Sequence, residues 1–150
     1  MTTPSYQLHP LSTSSAAALR AQGGEVYVAD SKPGYPCRHC LRDAGIGEVL
    51  LLVSHDPFLG DSPYRSTSPI FIHADPCPSP SDLADVPVQL TGRQLALRSF
   101  DGDEMMIEAA VIDGVDVDQT IRSLLADPNS ARVRVYNAGR GCWATDAVRC

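Results

Sequence analysis

Apolar residues along this chain fall into short runs that predict β-strands separated by long loops. Val49 to Val53 is a continuous apolar run between Gly47 and Asp56-Pro57. Such a run is typical of a strand that is buried on both faces at the centre of a sheet. Shorter alternating stretches predict further strands. These cover residues 6–9, 25–29, 70–72, the region around 95–98, 107–111, 132–136 and 142–148.

Two segments have the pattern of helices. Ser12 to Ala21 is rich in alanine and is followed by Gly23-Gly24, which would end a helix. A second helix is predicted from Asp116, since Asp116 and Gln119 have the spacing of a capping box. Its apolar stripe consists of Val117, Ile121, Leu124 and Leu125.

The order of these elements predicts an α+β fold. The helices do not alternate regularly with the strands, so a parallel α/β sheet is disfavoured. We expect a single domain over residues 1–150, with a mixed, mainly antiparallel sheet of about seven or eight short strands and two helices.

For two of the predicted strands, the sequence also indicates which side chains face the core. The alternation from Ile107 to Val111 predicts that Ile107, Ala109 and Val111 face the core. In the strand at 132–136 the two valines should point inward. The residues expected to point outward there are Arg132, Arg134 and Tyr136.

Composition and charge narrow the classes of function. With 43% hydrophobic residues in 150, the chain can bury an adequate core without a metal or a disulfide. Its net charge of −6 disfavours a general nucleic-acid binder. No apolar run approaches the roughly 20 residues of a membrane span, and residues 1–11 lack the features of a secretory signal. We therefore expect a cytoplasmic protein with reduced thiols and no membrane partner.

The strongest chemical signal is the motif Cys37-Arg38-His39-Cys40. Two thiols at this spacing can meet in one turn, on a shared metal or in a disulfide. His73 and Cys77 form a second candidate pair, with 32 residues between Cys40 and His73. Together the four residues would make a Cys₃His set, which is known from structural zinc sites. A zinc ion on Cys37, Cys40, His73 and Cys77 is therefore the first hypothesis, and buried cysteines beside a hydrogen-bonded histidine are the alternative.

The same motif also allows a cysteine-dependent redox or transfer enzyme. A strand precedes Cys37, as in thioredoxin-like proteins, and Arg38 and His39 would favour a thiolate. Gly45 and Gly47 limit any following helix to about two turns, which weakens this reading.

Cys142 is a second candidate nucleophile. It follows Gly139-Arg140-Gly141, whose amides and guanidinium could hold an anion, and His55 or His73 would serve as its base if the fold brings one within hydrogen-bond reach. The simpler interpretation is a hairpin loop followed by a small core residue. For the final residue, Cys150, the sequence indicates no role.

The third hypothesis is an interaction module without chemistry. Its contact surface would be Phe58, Tyr64 and the neighbouring prolines of the long loop at 56–69. With Trp143, the same aromatic residues could instead line a ligand groove or simply hold the loop against the core. We expect the long loops, Lys32 to Leu41 and Asp56 to Cys77, to gather on one side of the sheet and to form the active surface.

Several stretches of the chain also resemble a bacterial family known as domain of unknown function 1203. They are Tyr35–Ala44, Asp56–Phe58, Ser62–Tyr64, Pro69–His73 with Cys77, Asn137–Ala138 and Gly141–Cys142. Relatives often carry His where this chain has Tyr136, and Phe where it has Trp143. The family has no established activity, so the resemblance implies a group and no mechanism.

Overall fold

Two β-sheets form the framework of the protein. The computed structural model describes residues 4–150. Within that range the elements are β1 Tyr6–His9, α1 Thr13–Gln22, β2 Glu25–Val28, β3 Val49–His55, β4 Ser68–His73, α2 Val88–Thr91, β5 Gln94–Phe100, β6 Met106–Asp113, α3 Val117–Leu125, β7 Arg132–Asn137 and β8 Trp143–Arg149. The predicted α+β class is confirmed, and α1 and α3 lie where the sequence predicts helices.

The strands divide between two sheets. The larger sheet has the order β1-β8-β7-β5-β6 and the smaller one β2-β3-β4. All strand pairs within the sheets are antiparallel, and an isolated bridge between Cys37 and Phe71 is parallel. The apolar run at residues 49–53 belongs to β3, the central strand of the smaller sheet, as its pattern predicts.

The larger sheet is covered on both faces. On one face, Ile121 and Leu125 of α3 pack on Leu97 of β5. On the other, Trp143 packs in one cluster with residues of the smaller sheet such as Ile70. The central strands of the larger sheet are therefore buried on both sides.

Two predictions about strand faces are wrong. Arg134 and Tyr136 of β7 were expected to point to solvent, but both are buried because the smaller sheet and its loops lie over them. In β6 the predicted face is wrong by one residue. Leu95 and Leu97 pair with Ile112 and Ala110, so these two face the core side while Val111 is 65% exposed. A shift of one residue exchanges the two faces of a strand.

Helix α1 leads the chain towards one end of the smaller sheet. Its first turn is capped by Ser12 Oγ, which accepts a hydrogen bond from the Ser15 amide at 3.1 Å, and it ends at Gly23 with φ +79°. Arg20 in its last turn donates from Nε to the His73 carbonyl at 2.8 Å. The helix thus places a guanidinium where β4 ends. Among residues 4–150, no helix has the length and apolar character needed to cross a membrane.

Candidate metal centre

The Cys37–Cys40 segment forms a tight turn that is fastened to the end of β4. The Cys37 amide donates to the Arg42 carbonyl at 3.1 Å, and the Leu41 amide donates to the Cys37 carbonyl at 3.1 Å. Leu41 has φ +58°, which lets the chain reverse after the second cysteine. The bridge between Cys37 and Phe71 then sets the turn beside the last residues of β4.

The four residues of the predicted zinc set meet at this point. One ligand atom from each of Cys37, Cys40, His73 and Cys77 lies within 4.8 Å of all the others. We refer to these four side chains as the thiol cluster. Cys37 Sγ and Cys77 Sγ are 3.8 Å apart, and Cys40 Sγ lies 3.6 Å from His73 Nδ1. The group could hold a metal ion.

The thiol cluster is enclosed on one side and reaches the surface on the other. Cys37 and Cys40 are buried, whereas His73 and Cys77 are partly exposed. His73, Cys77 and Glu48 line a cavity of about 860 Å³. Gln89 lies at the same cavity, and its Nε2 donates to the Cys37 carbonyl at 3.1 Å.

N–H groups surround the sulfur atoms. The His73 amide donates to Cys37 Sγ at 3.4 Å, and Arg20 Nη2 donates to Cys77 Sγ at 3.5 Å. His39 Nδ1 lies 3.1 Å from Cys77 Sγ, while its Nε2 lies 3.1 Å from the Thr13 hydroxyl. That arrangement suits a histidine with its proton on Nδ1 and a hydroxyl donor at Nε2. Donors directed at sulfur stabilise thiolates rather than thiols.

His73 is oriented by a carboxylate. Its Nδ1 faces Cys40, and its Nε2 lies 3.0 Å from Glu48 Oε1. Metal-bound histidines in proteins almost always have such a partner on the second nitrogen, because it sets the tautomer and the ring orientation. Glu48 is itself held in place by the Gly45 amide, which donates to Oε1 at 2.7 Å.

Hydrogen bonds and burial shift the pKa values of the three thiols in different directions. The side-chain hydrogen bond from Cys40, together with one from His73, outweighs burial and lowers the pKa of Cys37 to about 3. The pKa of Cys40 is raised because this thiol donates to Cys37 and is desolvated. Burial, with the charge of Cys37, raises the pKa of Cys77. The hydrogen bond to Cys37, supported by Glu48, raises the pKa of His73. Without a metal the thiol cluster therefore holds one thiolate and keeps further protons.

Sequence reasoning identified the four cluster residues but missed the residues that surround them. His39 lies inside the motif, so a signal for it was present, although its contact with Cys77 was not predicted. Arg20 and Glu48 are 17 and 8 residues from the nearest cysteine of the motif and match no pattern. Only the packing of α1 and of the Gly45–Glu48 turn brings them to the site.

The environment of Cys142 differs from the nucleophile hypothesis. Cys142 is buried, and its Sγ lies 2.9 Å from Arg38 Nη2 and 3.8 Å from Asn137 Nδ2. Among the side-chain hydrogen bonds of residues 4–150, none joins Cys142 to a histidine. His55 instead packs against the ring of Trp143 at 5.0 Å, and His73 belongs to the thiol cluster. Neither of the two histidines therefore forms the hydrogen bond with Cys142 that a general base would need.

The aromatic loop lies away from the thiol cluster. Residues 56–67 follow the end of β3 that pairs with Ser68, whereas the cluster is at the His73 end of β4. Phe58 is buried against Phe100 at 5.4 Å, and Tyr64 contacts the same ring at 6.1 Å. The expectation that all long loops gather on one side is wrong for this segment. Its aromatic residues pin the loop to the core.

The fold and the site define an α+β protein with a cysteine–histidine cluster that could hold a metal ion. Residues 34–149 match a family described as "Protein of unknown function (DUF1203)", and the chain belongs to this family. The matched range contains all four residues of the thiol cluster. Neither the search of curated proteins nor that of solved structures found a match.

Proposed function

We propose that the protein binds one zinc ion through Cys37, Cys40, His73 and Cys77. The observation that carries this proposal is the spacing of the ligand atoms. Tetrahedral zinc with Zn–S bonds of about 2.3 Å and a Zn–N bond of about 2.0 Å requires separations of about 3.8 Å between sulfurs and about 3.5 Å between sulfur and nitrogen. Here Cys37 Sγ and Cys77 Sγ are 3.8 Å apart, Cys40 Sγ and His73 Nδ1 are 3.6 Å apart, and all four ligand atoms lie within 4.8 Å of one another.

The donor set favours a structural role for this ion. Three thiolates and one imidazole fill the four positions of tetrahedral zinc, whereas catalytic sites keep one position open for water or substrate. Thiolate and imidazole donors also disfavour calcium and magnesium, which bind oxygen ligands. We infer that the zinc ion is a fixed part of the fold.

The ion would join segments that have little regular structure. Residues 29–48 and 74–87 contain neither a helix nor a sheet strand, only isolated bridges and turns. Cys37 and Cys40 lie in the first segment and Cys77 in the second, while His73 ends β4. Few backbone hydrogen bonds join these segments to the smaller sheet. A shared metal would fasten both of them to it.

Charge balance supports the same assignment. Three thiolates with Zn²⁺ leave a net charge of −1 on the centre. Arg20 Nη2 lies 3.5 Å from Cys77 Sγ and supplies one compensating positive charge. A buried anion is stable when it is paired and hydrogen-bonded in this way.

The test is metal analysis of untagged protein by mass spectrometry. We expect about one zinc per chain in the wild type and a loss of most of it in Cys37→Ser and in Cys40→Ser. Cys150→Ser is the matched control, because Cys150 is exposed and outside the thiol cluster. His73→Cys should retain zinc as a Cys₄ site, whereas His73→Ala should not.

Wild-type protein that contains no metal and takes up neither Zn²⁺ nor Co²⁺ would contradict the proposal. Equal zinc loss from Cys150→Ser would also contradict it, because the metal would then not be held by the thiol cluster.

A dithiol redox protein is the second candidate, favoured by the 3.8 Å between Cys37 Sγ and Cys77 Sγ and by the lowered pKa of Cys37. Cys37 is fully buried, which restricts attack by a substrate. This candidate predicts metal-free protein in which a cluster cysteine reacts with iodoacetamide faster than Cys150. Zinc-loaded protein with protected cluster thiols excludes it.

The interaction module receives less support, because Phe58 is buried against the core rather than exposed.

We propose a cytoplasmic protein without a nucleic-acid partner. Its five unpaired cysteines and its net charge of −6 support that placement.

A further inference from the structure

A second cavity of about 590 Å³ lies beside Arg38, one of the two residues between the thiols of the motif. The cavity is bounded by the smaller sheet and by the turn between β7 and β8. None of the four residues of the thiol cluster lines it. It is therefore a feature separate from the proposed zinc site.

The charge of this cavity is one-sided. Arg38, Arg93 and Arg140 line it, and no aspartate or glutamate is among its described lining residues. This surface is positive in a protein whose net charge is −6. A cavity lined by one sign of charge concentrates ligands of the opposite sign.

Arg38 is the decisive residue. Its side chain is only 1% exposed, and no carboxylate oxygen in residues 4–150 lies within 4.0 Å of its guanidinium. It donates to the carbonyls of Trp143 and Pro36 and to Cys142 Sγ. A guanidinium stays charged in proteins, and a buried charge without a counter-charge is costly. An anion in the adjoining cavity would supply that counter-charge.

The other two arginines have different roles. Arg93 is paired with Asp43 at 2.7 Å, so its charge is largely compensated. Arg140 is exposed on the turn between β7 and β8, and it takes part in no ion pair of the described chain. It can therefore turn towards a ligand at the mouth of the cavity.

Gln94 and Asn137 also line the cavity, and the side formed by the smaller sheet is apolar and aromatic. Tyr27 and Phe71 meet edge to face at 5.4 Å, and Leu52 with three prolines completes this side. A flat or branched apolar group fits such a wall, because it covers carbon surface without leaving polar atoms unpaired. The site thus combines an apolar wall with guanidinium donors.

We propose that this cavity binds a small organic carboxylate whose apolar group lies against Tyr27 and Phe71 and whose charge is held by Arg38 and Arg140. Guanidinium is suited to carboxylate because its N–H groups form parallel pairs of hydrogen bonds. The assignment does not depend on the zinc proposal, since the two sites share no lining residue.

The test uses sodium benzoate as probe and benzamide as its neutral analogue, with wild-type protein at low ionic strength. We expect saturable benzoate binding with a Kd of about 1 mM or tighter in calorimetry. Amide NMR shifts should be confined to the strands and the turn around the cavity. Benzamide should bind at least tenfold more weakly, because it lacks the charge.

Variants locate the site without disturbing the buried guanidinium, whose removal could unfold the protein. Arg140→Gln should weaken benzoate binding about five- to tenfold. Tyr27→Ala should weaken it about fivefold through loss of the aromatic wall. Arg65→Gln is the matched control, because Arg65 is exposed and does not line the cavity.

No saturable binding, equal binding of benzamide, or equal effects of Arg140→Gln and Arg65→Gln would overturn the proposal.

Discussion

Two buried polar clusters lie at opposite ends of β3 and β4, and they satisfy their charges differently. The thiol cluster lies at the His73 end. Near the other end is an ion cluster formed by Arg132, Arg134, Glu104 and Asp146. In the ion cluster, Arg134 Nη2 lies 2.6 Å from Glu104 Oε2, and Arg132 Nη1 lies 2.8 Å from Asp146 Oδ2.

The ion cluster is balanced within the chain. It has two guanidinium groups and two carboxylates, and the guanidinium of Arg134 also lies over the rings of Phe58 and Phe100 at 4.0 and 4.7 Å. Burial raises the pKa of Asp146, and Arg134 and the Trp143 indole oppose that shift. Its formal charges therefore balance without an external ion, although Arg134 Nε and Nη1 and Glu104 Oε2 are buried without a hydrogen-bond partner in the described part of the chain.

The thiol cluster has the opposite composition, because it collects groups that become anionic and surrounds them with N–H donors. Arg20 is the one guanidinium that contacts its sulfurs among the described residues. A buried polar cluster therefore indicates a ligand when its charges are not balanced within the chain, and not merely because it is polar.

The largest effect is expected from breaking the ion cluster. Arg134→Met leaves Glu104 and Asp146 buried without their shared cation, so the free energy of unfolding should fall by about 3–5 kcal/mol. Urea denaturation measures this change. Adding Glu104→Gln should recover part of the loss, and the zinc content should stay at the wild-type level. If Arg134→Met lowers the free energy of unfolding by less than about 1 kcal/mol, the stability of the two carboxylates does not depend on this cation.

The thiol cluster should release protons when it binds zinc. At pH 8 the pKa of Cys37, about 3, leaves it already ionised, while the raised pKa values of Cys40 and Cys77 keep both protonated. When His73 is neutral, zinc binding should therefore release about two protons, and the apparent affinity should rise about a hundredfold per pH unit. As the pH falls through the raised pKa of His73, a third proton should appear.

Calorimetry in buffers of different ionisation enthalpy counts these protons. Release of three protons that persists as the pH is raised above the pKa of His73 would mean that Cys37 carries a proton in the metal-free protein, contrary to the hydrogen bonds that it accepts.

A smaller effect is expected around the ligands. Glu48→Gln weakens the acceptor that orients His73 through Nε2, so zinc affinity should fall at least about tenfold. Because Glu48 is half exposed, the effect should lie towards the lower end of the tenfold to hundredfold range. Competition with a chromophoric chelator measures it. Glu25→Gln, a change at an exposed acid on β2, should leave the affinity unaltered.

The smallest effect is expected at an exposed ion pair of the aromatic loop. Arg65 contacts Asp56 at 2.6 Å and Asp61 at 2.9 Å, but its side chain is 45% exposed. Arg65→Gln should therefore leave the midpoint of urea denaturation almost unchanged. A cost as large as that of Arg134→Met would mean that burial does not distinguish these pairs.

Patterns of local origin were predictable from the sequence. The apolar run at 49–53 indicated a central strand, and the stripe from Val117 to Leu125 indicated α3. The motif at Cys37–Cys40 indicated a turn, because two thiols three positions apart can meet locally. For the second pair, the sequence supplied residue types of the right chemistry, and the structure supplied their contact with the first.

The sequence did not show which strand faces are buried by distant segments of the chain. Arg134 alternates with valines and so resembles a surface residue, yet the smaller sheet, Phe58 and Phe100 enclose it. The reverse holds for Val111, which is apolar but lies on an edge strand with its face uncovered.

The sequence alone determined the donor chemistry of this protein, since the identities of three thiols and one imidazole decide which metals they can bind. It also determined the helices and the central strand, whose signals lie within a few residues of one another. Only the tertiary structure decided that the four donors meet, that Arg20 and Glu48 contact two of them, and that Arg38 faces a separate cavity. Those facts depend on contacts between distant segments, and no local pattern encodes them.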